Sequence, residues 1–216
     1  MKLSHIFGLL LAATSLFAEP NTLTSADKAA GWQLLFDGKS LDGWRANEKP
    51  GTFKVEDGCI VVQGPRSHLF YEGPVQNHDF KDFELRLEAK TFPKANSGVC
   101  IHTEFNESGW PPKGYEVQVN TSHSDWRRTA GLYAIQDVRD AASRDGEWFA
   151  LRIRVEGRRI TTYVNDRLVA DYVEEQNPVR PDDMKGRVLS RGTLALQGHD
   201  PESRVLFRSI AVRPLP

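Results

Sequence analysis

Strict alternation of apolar and polar residues is the main pattern along the chain, and it predicts β-strands. In residues 83–90, Phe, Leu, Leu and Ala alternate with Glu, Arg, Glu and Lys. Residues 149–156 repeat this pattern, and residues 160–164 and 168–173 flank an Asn165-Asp166 turn typical of a hairpin. Each of these strands is expected to have one buried face and one solvent-exposed face.

The turn signals between the runs set the expected fold class. Asp-Gly pairs, such as those at Asp57 and Asp145, tolerate positive φ and close tight turns. Residues 205–212 form a last predicted strand, and helical signals are few. Many short strands with turns between them predict an all-β sandwich or barrel.

Two segments fall outside the predicted strands. Thr24 and Ser25 are expected to cap a short helical turn over residues 26–30. Residues 174–191 are polar, include two prolines, and are expected to form a long loop near one edge.

Three runs carry polar side chains on one face, of types that catalyse or bind. Alternation groups them by strand as Glu116, Gln118 and Asn120; Cys100, His102 and Glu104; and Ala195, Gln197 and His199. Such a face is commonly just solvated in an antiparallel sheet. Its acidic, amide and imidazole groups, however, contrast with the Arg/Glu/Lys mixture of residues 83–90 and keep a functional face equally open.

The composition narrows the class of protein. Lys plus Arg number 28 against 29 for Asp plus Glu, which argues against a nucleic-acid partner. A content of 39% hydrophobic and 26% charged residues is typical of a globular protein, and 216 residues support a single domain with a sizeable core. We expect that domain at residues 31–216, after a short segment at residues 19–30.

The first residues predict export. Residues 1–18 combine Lys2 with an apolar run that is too short to span a bilayer, which is typical of a secretory signal. We therefore expect a secreted or periplasmic protein, with no membrane insertion once the signal is removed. An oxidising compartment would allow a disulfide between Cys59 and Cys100, but two buried free thiols remain equally compatible with the sequence.

Familiar catalytic motifs are missing from the sequence. It has no H-E-x-x-H, no G-x-S-x-G, no Walker loop and no G-x-G-x-x-G. Glu116 has Gln118, rather than a second carboxylate, two residues away, which disfavours a glycosidase that uses two carboxylates.

The ordered set of motifs resembles a known family. The segments are Leu-Phe-Asp-Gly-Lys-Ser-Leu-Asp-Gly-Trp at 35–44, Val-Glu-Asp-Gly at 55–58, Asp-Phe-Glu-Leu-Arg-Leu-Glu at 82–88, Ala-Asn-Ser-Gly-Val at 95–99, Gly-Tyr-Glu-Val-Gln-Val at 114–119, Gly-Leu-Tyr at 131–133, Gly-Glu-Trp at 146–148 and Leu-Gln-Gly-His at 196–199. Together they are similar to the 3-keto-disaccharide hydrolase family over about residues 31–215. The chain departs from the family at His102, where Arg is common nearby, and at Phe149, where Asn is common.

The resemblance implies a concanavalin A-like jelly roll of two antiparallel sheets and a 3-keto-glycoside substrate. The 3-keto group acidifies the C2 proton, a base removes it, the C1 leaving group departs, and water then adds. This chemistry requires a base, an acid and a stabiliser for the enolate oxygen. Glu116 or His102 is the expected base, with His199 as its acid or base partner.

Further residues are expected around the sugar. Gln118 and Gln197 are candidates for binding hydroxyls, Asn96 for shaping the turn beside the site, and Tyr133 for stacking. Glu104 is a further candidate for binding the substrate. Trp110 and Trp126 are candidate sugar platforms or loop anchors.

Two alternatives remain at this stage. His102, Glu104, Glu116 and His199 could converge on a divalent ion, but no spacing requires it, and no cofactor or metal is predicted. A jelly roll also hosts non-catalytic carbohydrate-binding modules. The mixture of acidic and basic groups on the polar face favours an enzyme that acts on an oligosaccharide or glycoside over such a module.

Overall fold

The computed structural model describes residues 19–216, so the expected export signal at residues 1–18 lies outside the described residues. One short helix, α1 (Ser25–Ala29), begins this part of the chain. Thr24 caps it: the Thr24 hydroxyl accepts from the Asp27 backbone N–H, and the Asp27 carboxylate accepts from the Thr24 backbone N–H at 3.0 Å. The predicted helical turn is thus present, displaced by one residue. No helix of residues 19–216 is long and apolar enough to cross a bilayer.

Thirteen strands follow in the described chain. They are β1 (Gln33–Leu34), β2 (Trp44–Ala46), β3 (Phe53–Glu56), β4 (Cys59–Val62), β5 (Ser67–Tyr71), β6 (Phe83–Thr91), β7 (Asn96–Thr103), β8 (Tyr115–Asn120), β9 (Phe149–Glu156), β10 (Arg159–Val164), β11 (Arg167–Val173), β12 (Thr193–Gly198) and β13 (Val205–Pro214). Short 3₁₀ turns lie at Pro50–Thr52, Val75–His78 and Asp182–Met184.

The strands form two antiparallel sheets. The larger sheet has the order β11-β10-β9-β6-β13-β4-β3, with β1 also paired to β13. The smaller sheet has the order β2-β5-β12-β7-β8. The predicted hairpin is present as β10 and β11, and the two sheets confirm the all-β sandwich.

The core lies between the inner faces of the two sheets. Phe83, Leu85 and Leu87 of β6 face it from the larger sheet, as the alternation predicts. On the outer face of β6, Arg86, Glu88 and Lys90 are half-buried, but Glu84 is buried. The outer face of this strand is therefore only partly exposed to solvent.

The other face of the smaller sheet is polar and yet covered. Every residue of β7, β8 and β12 is buried, including the polar residues that alternate with the core residues. Chain segments at 104–114, 121–148 and 174–192 surround this polar face. Residues 174–192 are thus more than a loop near one edge, because Asp183, Met184 and Arg187 help to enclose the polar face of the smaller sheet.

Candidate active site

A cleft of about 370 Å³ opens on the polar face of the smaller sheet. Its volume is in the usual range for small-molecule sites. Seven of the ten residues predicted from the sequence line it: Asn96, Trp110, Glu116, Gln118, Tyr133, Gln197 and His199.

Glu116 lies at the centre of the cleft floor on β8. Its neighbour across the sheet is Cys100 of β7, and its side chain extends over Gly98 of the same strand. A Cβ at Gly98 would be 2.9 Å from Glu116 Oε1, so the bare backbone of Gly98 leaves room for the carboxylate. Glu116 is only 9% exposed.

Burial raises the pKa of Glu116, while the Arg187 guanidinium and the Gln197 amide oppose this rise. Arg187 Nη2 lies 4.0 Å from Glu116 Oε2. The carboxyl group is therefore held near a fixed positive charge and is more basic than an exposed glutamate. These are the properties expected of a general base that works near neutral pH.

His199 lies just beyond the end of β12 and is oriented by Asp200. Its Nδ1 is 2.7 Å from Asp200 Oδ2. Burial alone would raise the pKa of Asp200, but hydrogen bonds from Ser203, His199 and the Glu202 backbone hold it below its usual value. With Nδ1–H donated to this carboxylate, Nε2 of a neutral His199 remains available to accept a proton.

Amide side chains complete the floor around Glu116. Gln118 Nε2 donates to Asn96 Oδ1 at 2.6 Å, and the Asn96 backbone N–H donates to Ser203 Oγ at 2.9 Å. Ser203 Oγ also donates to Asp200 Oδ2 at 2.7 Å. One hydrogen-bonded chain therefore connects the amide floor to the carboxylate that orients His199.

Aromatic residues form the walls of the cleft. The Tyr133 ring centroid is 4.7 Å from the Arg127 guanidinium and 5.4 Å from that of Arg187. On the other side, the Trp110 ring is 5.5 Å from that of His199, and the Trp110 side chain is 46% exposed. Both rings are accessible from the cleft and suit the apolar face of a sugar.

The structure does not place His102 in the cleft. A β-bulge between β7 and β12 gives His102 a φ of 53°, so the strict alternation that would group it with Cys100 and Glu104 fails there. Its ring packs 5.7 Å from that of Phe83, Nε2 is 2.7 Å from the Lys81 carbonyl oxygen, and Nδ1 accepts from the Ser190 backbone N–H at 3.2 Å. His102 therefore joins three segments of the fold.

Glu104 and Trp126 also lie outside the lining. Glu104 is exposed beyond the end of β7 and pairs with Lys113 at 3.2 Å. Trp126 is 39% exposed and packs against Arg139, at 4.1 Å, and Arg127, at 5.0 Å, away from the cleft lining.

The four residues considered for a metal do not converge, because His102 and Glu104 point elsewhere. Within residues 19–216, no group of three or more His, Cys, Asp or Glu side chains is arranged to hold an ion. Cys59 and Cys100 are both free and buried, so the thiol alternative holds and the disulfide does not form.

Several lining residues were not predicted. Lys113 comes from the loop that precedes β8, and Asp183, Met184 and Arg187 come from the segment 174–192. Arg187 is the most important of these, since it is the guanidinium nearest Glu116. The polar composition of its segment resembled that of any solvated loop, and only the folded chain shows what it covers.

The anchors of this segment lie beneath Glu116. Glu174 bonds to the Tyr115 hydroxyl and accepts from the Leu189 backbone N–H at 3.0 Å. Arg180 donates to the Tyr115 hydroxyl at 3.0 Å and, through Nε, to the Arg187 carbonyl at 2.9 Å. These buried groups fix the backbone from which Arg187 reaches the cleft.

Comparison with known proteins adds sequence and fold relatives. A family model described as the 3-keto-alpha-glucoside-1,2-lyase-like domain matches residues 31–213. A curated protein of Bacteroides thetaiotaomicron named 3-keto-disaccharide hydrolase is 30% identical over 182 residues, which are 72% of this chain. The match covers 63% of that relative's length, so the relative is the longer protein.

Two solved structures show the same fold at low identity. A protein of Parabacteroides distasonis assigned as a glycosyl hydrolase superposes with a TM-score of 0.77 at 22% identity, covering 92% of this chain and 100% of that one. The carbohydrate-binding module CBM66 of Bacillus subtilis gives 0.56 at 14% identity, covering 79% and 95%. These likenesses confirm the jelly-roll β-sandwich.

Proposed function

The chain belongs to the 3-keto-alpha-glucoside-1,2-lyase-like family, and from this premise we propose that it cleaves 3-keto-glycosides, including 3-keto-disaccharides, by elimination followed by hydration. The observation that supports this most directly is the single buried carboxylate of Glu116, which has a raised pKa and lies beside Arg187 in a cleft shared with His199. A carbonyl at C3 makes the C2 proton acidic, so a single carboxylate suffices as base.

In the first half of the reaction, Glu116 takes the C2 proton. Negative charge develops on the C3 oxygen, where the fixed Arg187 guanidinium is the available stabiliser. As the bond between C1 and the glycosidic oxygen breaks, His199 donates a proton to that oxygen. The glycone remains as an enone with a double bond between C1 and C2.

The second half reverses the proton movements. His199, now neutral, takes a proton from water as the water oxygen bonds to C1, and protonated Glu116 returns a proton to C2. The net change is hydrolysis, and both residues return to their starting states. Asp200 keeps the imidazole oriented through Nδ1 in both halves.

The cleft is suited to an uncharged sugar. Gln118, Gln197 and Asn96 offer amide donors and acceptors for hydroxyl groups, and Tyr133 offers an aromatic face. Export through residues 1–18 is part of the proposal and would place the enzyme in the periplasm or outside the cell, where glycosides are encountered.

Turnover of a 3-keto-disaccharide by the purified protein tests the proposal. We expect the wild type to release the glycone and Glu116→Gln to lose about 10³-fold or more of kcat, since removal of a positioned general base typically costs 10²–10⁴-fold. Glu56→Gln is the matched control, because Glu56 is a half-exposed carboxylate at the edge of the larger sheet, paired with Lys54. Sugar binding without turnover by the wild type would favour a binding module and overturn the enzyme.

A further inference from the structure

A row of unpartnered polar groups crosses the polar face and continues beyond the open cleft. Strand register aligns Gln118 with Gly98 on β7, and Gln197 with His68 on β5. The Oε1 atoms of Gln118 and Gln197 and both ring nitrogens of His68 have no hydrogen-bond partner in the part of the chain that the structure describes. Buried polar groups nearly always have partners, so such a row indicates groups available to a ligand.

His68 lies under Trp110 and does not line the open cleft. It is 0% exposed, and its ring centroid is 5.5 Å from that of Trp110 in an edge-to-face arrangement. The Trp110 ring centroid also lies 5.5 Å from that of His199. Within residues 19–216 the Trp110 indole N–H donates no hydrogen bond, so a rotation of this one side chain that uncovers His68 breaks no hydrogen bond.

The position of His68 is well fixed. Its backbone N–H donates to Asn47 Oδ1 at 2.7 Å, and the neighbouring Ser67 hydroxyl also bonds to Asn47. Next to it, Arg66 holds Glu48 through two hydrogen bonds of 3.2 and 3.1 Å. The backbone of His68 is thus held in place by its side-chain neighbours as well as by the sheet.

The chemistry of His68 fits a neutral hydroxyl group. Burial lowers its pKa to about 4, so the imidazole is uncharged at neutral pH. A neutral imidazole offers one donor and one acceptor, which match a sugar hydroxyl or a pair of them. An anion or a cation would lack a complementary charge on this side chain.

We infer that His68 and Trp110 form a second sugar subsite, which receives the leaving ring of a disaccharide. The inference rests on the proposed function, in which His199 serves the glycosidic oxygen. Glu116 lies in the cleft on one side of His199 and Trp110 contacts His199, so a ring that continues past the glycosidic oxygen meets the indole. Trp110 then stacks on that ring while His68 and Gln197 bind its hydroxyls.

Paired substrates test this subsite. One is a 3-keto-disaccharide of two glucose units, and the other is the methyl 3-keto-glucoside, which has no second ring. We expect His68→Gln and Trp110→Ala each to lower kcat/KM for the disaccharide by about tenfold or more beyond any loss for the methyl glycoside, as a site that loses a hydroxyl partner discriminates by at least this factor. Equal losses on both substrates, or no loss, would overturn the inference.

Two variants keep the result interpretable. Trp110→Ala changes a half-exposed side chain and should fold even if His68→Gln does not. Lys94→Asn alters the groove on the opposite side of His199, which is lined by Lys94, Ser122 and His123, and Asn tolerates the φ of 64° found there. A disaccharide-specific loss in Lys94→Asn with none in the His68 and Trp110 variants would move the subsite to that groove and contradict our assignment.

Calorimetry separates failure of the subsite from failure of the proposed function. If the wild type turns over neither 3-keto substrate, the proposed function fails, and binding of unmodified maltose and methyl glucoside decides the subsite. We then expect the wild type to bind maltose about tenfold more tightly than methyl glucoside. His68→Gln and Trp110→Ala should each bind the two sugars equally tightly. Equal binding of the two sugars to the wild type would overturn the subsite.

Discussion

The side chain of Glu116 lies directly against the backbone of Gly98 on the neighbouring strand. A Cβ added at Gly98 would be 2.8 Å from Glu116 Cγ and 2.9 Å from its Oε1, closer than real Cβ atoms approach. The glycine is needed here for space, because its backbone is not in the left-handed region. This pair of residues sets the position of the carboxylate.

Gly98→Ala therefore tests the position of Glu116 without removing its chemistry. We expect the added methyl group to displace the carboxylate and to lower kcat/KM for a 3-keto-disaccharide by about 10²-fold, the usual effect of a misplacement of about 1 Å. Gly51→Ala is the control, because nothing lies within 4 Å of a Cβ at that position. Wild-type activity in Gly98→Ala would contradict the role given to Glu116.

Arg187 is expected to act on both the enolate and the base. Removal of one positioned donor to a developing oxyanion typically costs about 10²–10³ in kcat, and we expect this loss in Arg187→Gln. The guanidinium also lowers the pKa of Glu116, so its loss raises that pKa further. Since the base must be ionised, the acid limb of the kcat/KM profile should move to higher pH.

The pH profile separates this electrostatic effect from a general disturbance of the loop. Arg191→Gln is a suitable control, because Arg191 follows Arg187 on the same segment but pairs with Asp79 at 2.7 Å on the surface. An acid limb that stays in place, or moves to lower pH, in Arg187→Gln would show that Arg187 does not act on Glu116.

The buried anchor of the same segment should govern stability. Arg180 bonds to Tyr115 and Tyr172 and lies 3.7 Å from Glu174, with both charged side chains largely buried. Arg180→Met leaves the Glu174 carboxylate buried without its cation, which typically costs about 3–5 kcal/mol. Urea unfolding measures this loss as a lower midpoint at unchanged slope.

A double variant identifies the cause of that loss. If the penalty comes from the unpaired charge, Arg180→Met combined with Glu174→Met should recover part of the stability lost in Arg180→Met. A double variant that is less stable by the full sum of the two single changes would show that the two residues are not coupled.

His102 is expected to matter for folding and not for catalysis. His102→Asn keeps a residue type that tolerates positive φ but loses the packing against Phe83 and part of the bonding to Lys81 and Ser190. We expect a loss of about 1–3 kcal/mol in the free energy of unfolding and a kcat/KM within about twofold of the wild type. A large fall in kcat at unchanged stability would show that His102 takes part in catalysis.

Much of the site was predictable from the sequence because a regular strand has a period of two. Glu116, Gln118 and Gln197 share the polar face of the smaller sheet, as the alternation predicts, and Val117 and Val119 face the core. The assumption of the same regularity gave a wrong position for His102, since one bulge shifts every later residue of a strand to the opposite face. A single sequence carries no clear mark of such a bulge.

The walls of the cleft were much harder to predict than its floor. Arg187 reaches Glu116 from a segment without regular strands, held by Glu174 and Arg180 through contacts between residues distant in sequence. Periodicity says nothing about where such a segment lies. His68 was missed for a different reason. Its strand, Ser-His-Leu-Phe-Tyr, is buried throughout, so polar and apolar residues do not alternate along it.

The origin of the hydrogen at C2 tests the elimination mechanism most directly. Turnover of a 3-keto-disaccharide in D₂O, followed by NMR of the released glycone, reports whether the C2 proton was removed and replaced. We expect deuterium at C2 of the product from the first turnover, because the water that enters the cleft to hydrate the enone exchanges the carboxyl proton of Glu116 before a proton returns to C2. We expect no cleavage of the parent disaccharide that lacks the 3-keto group. Release of glycone that retains its original C2 hydrogen, together with cleavage of the parent disaccharide, would contradict C2 deprotonation and indicate direct hydrolysis at C1.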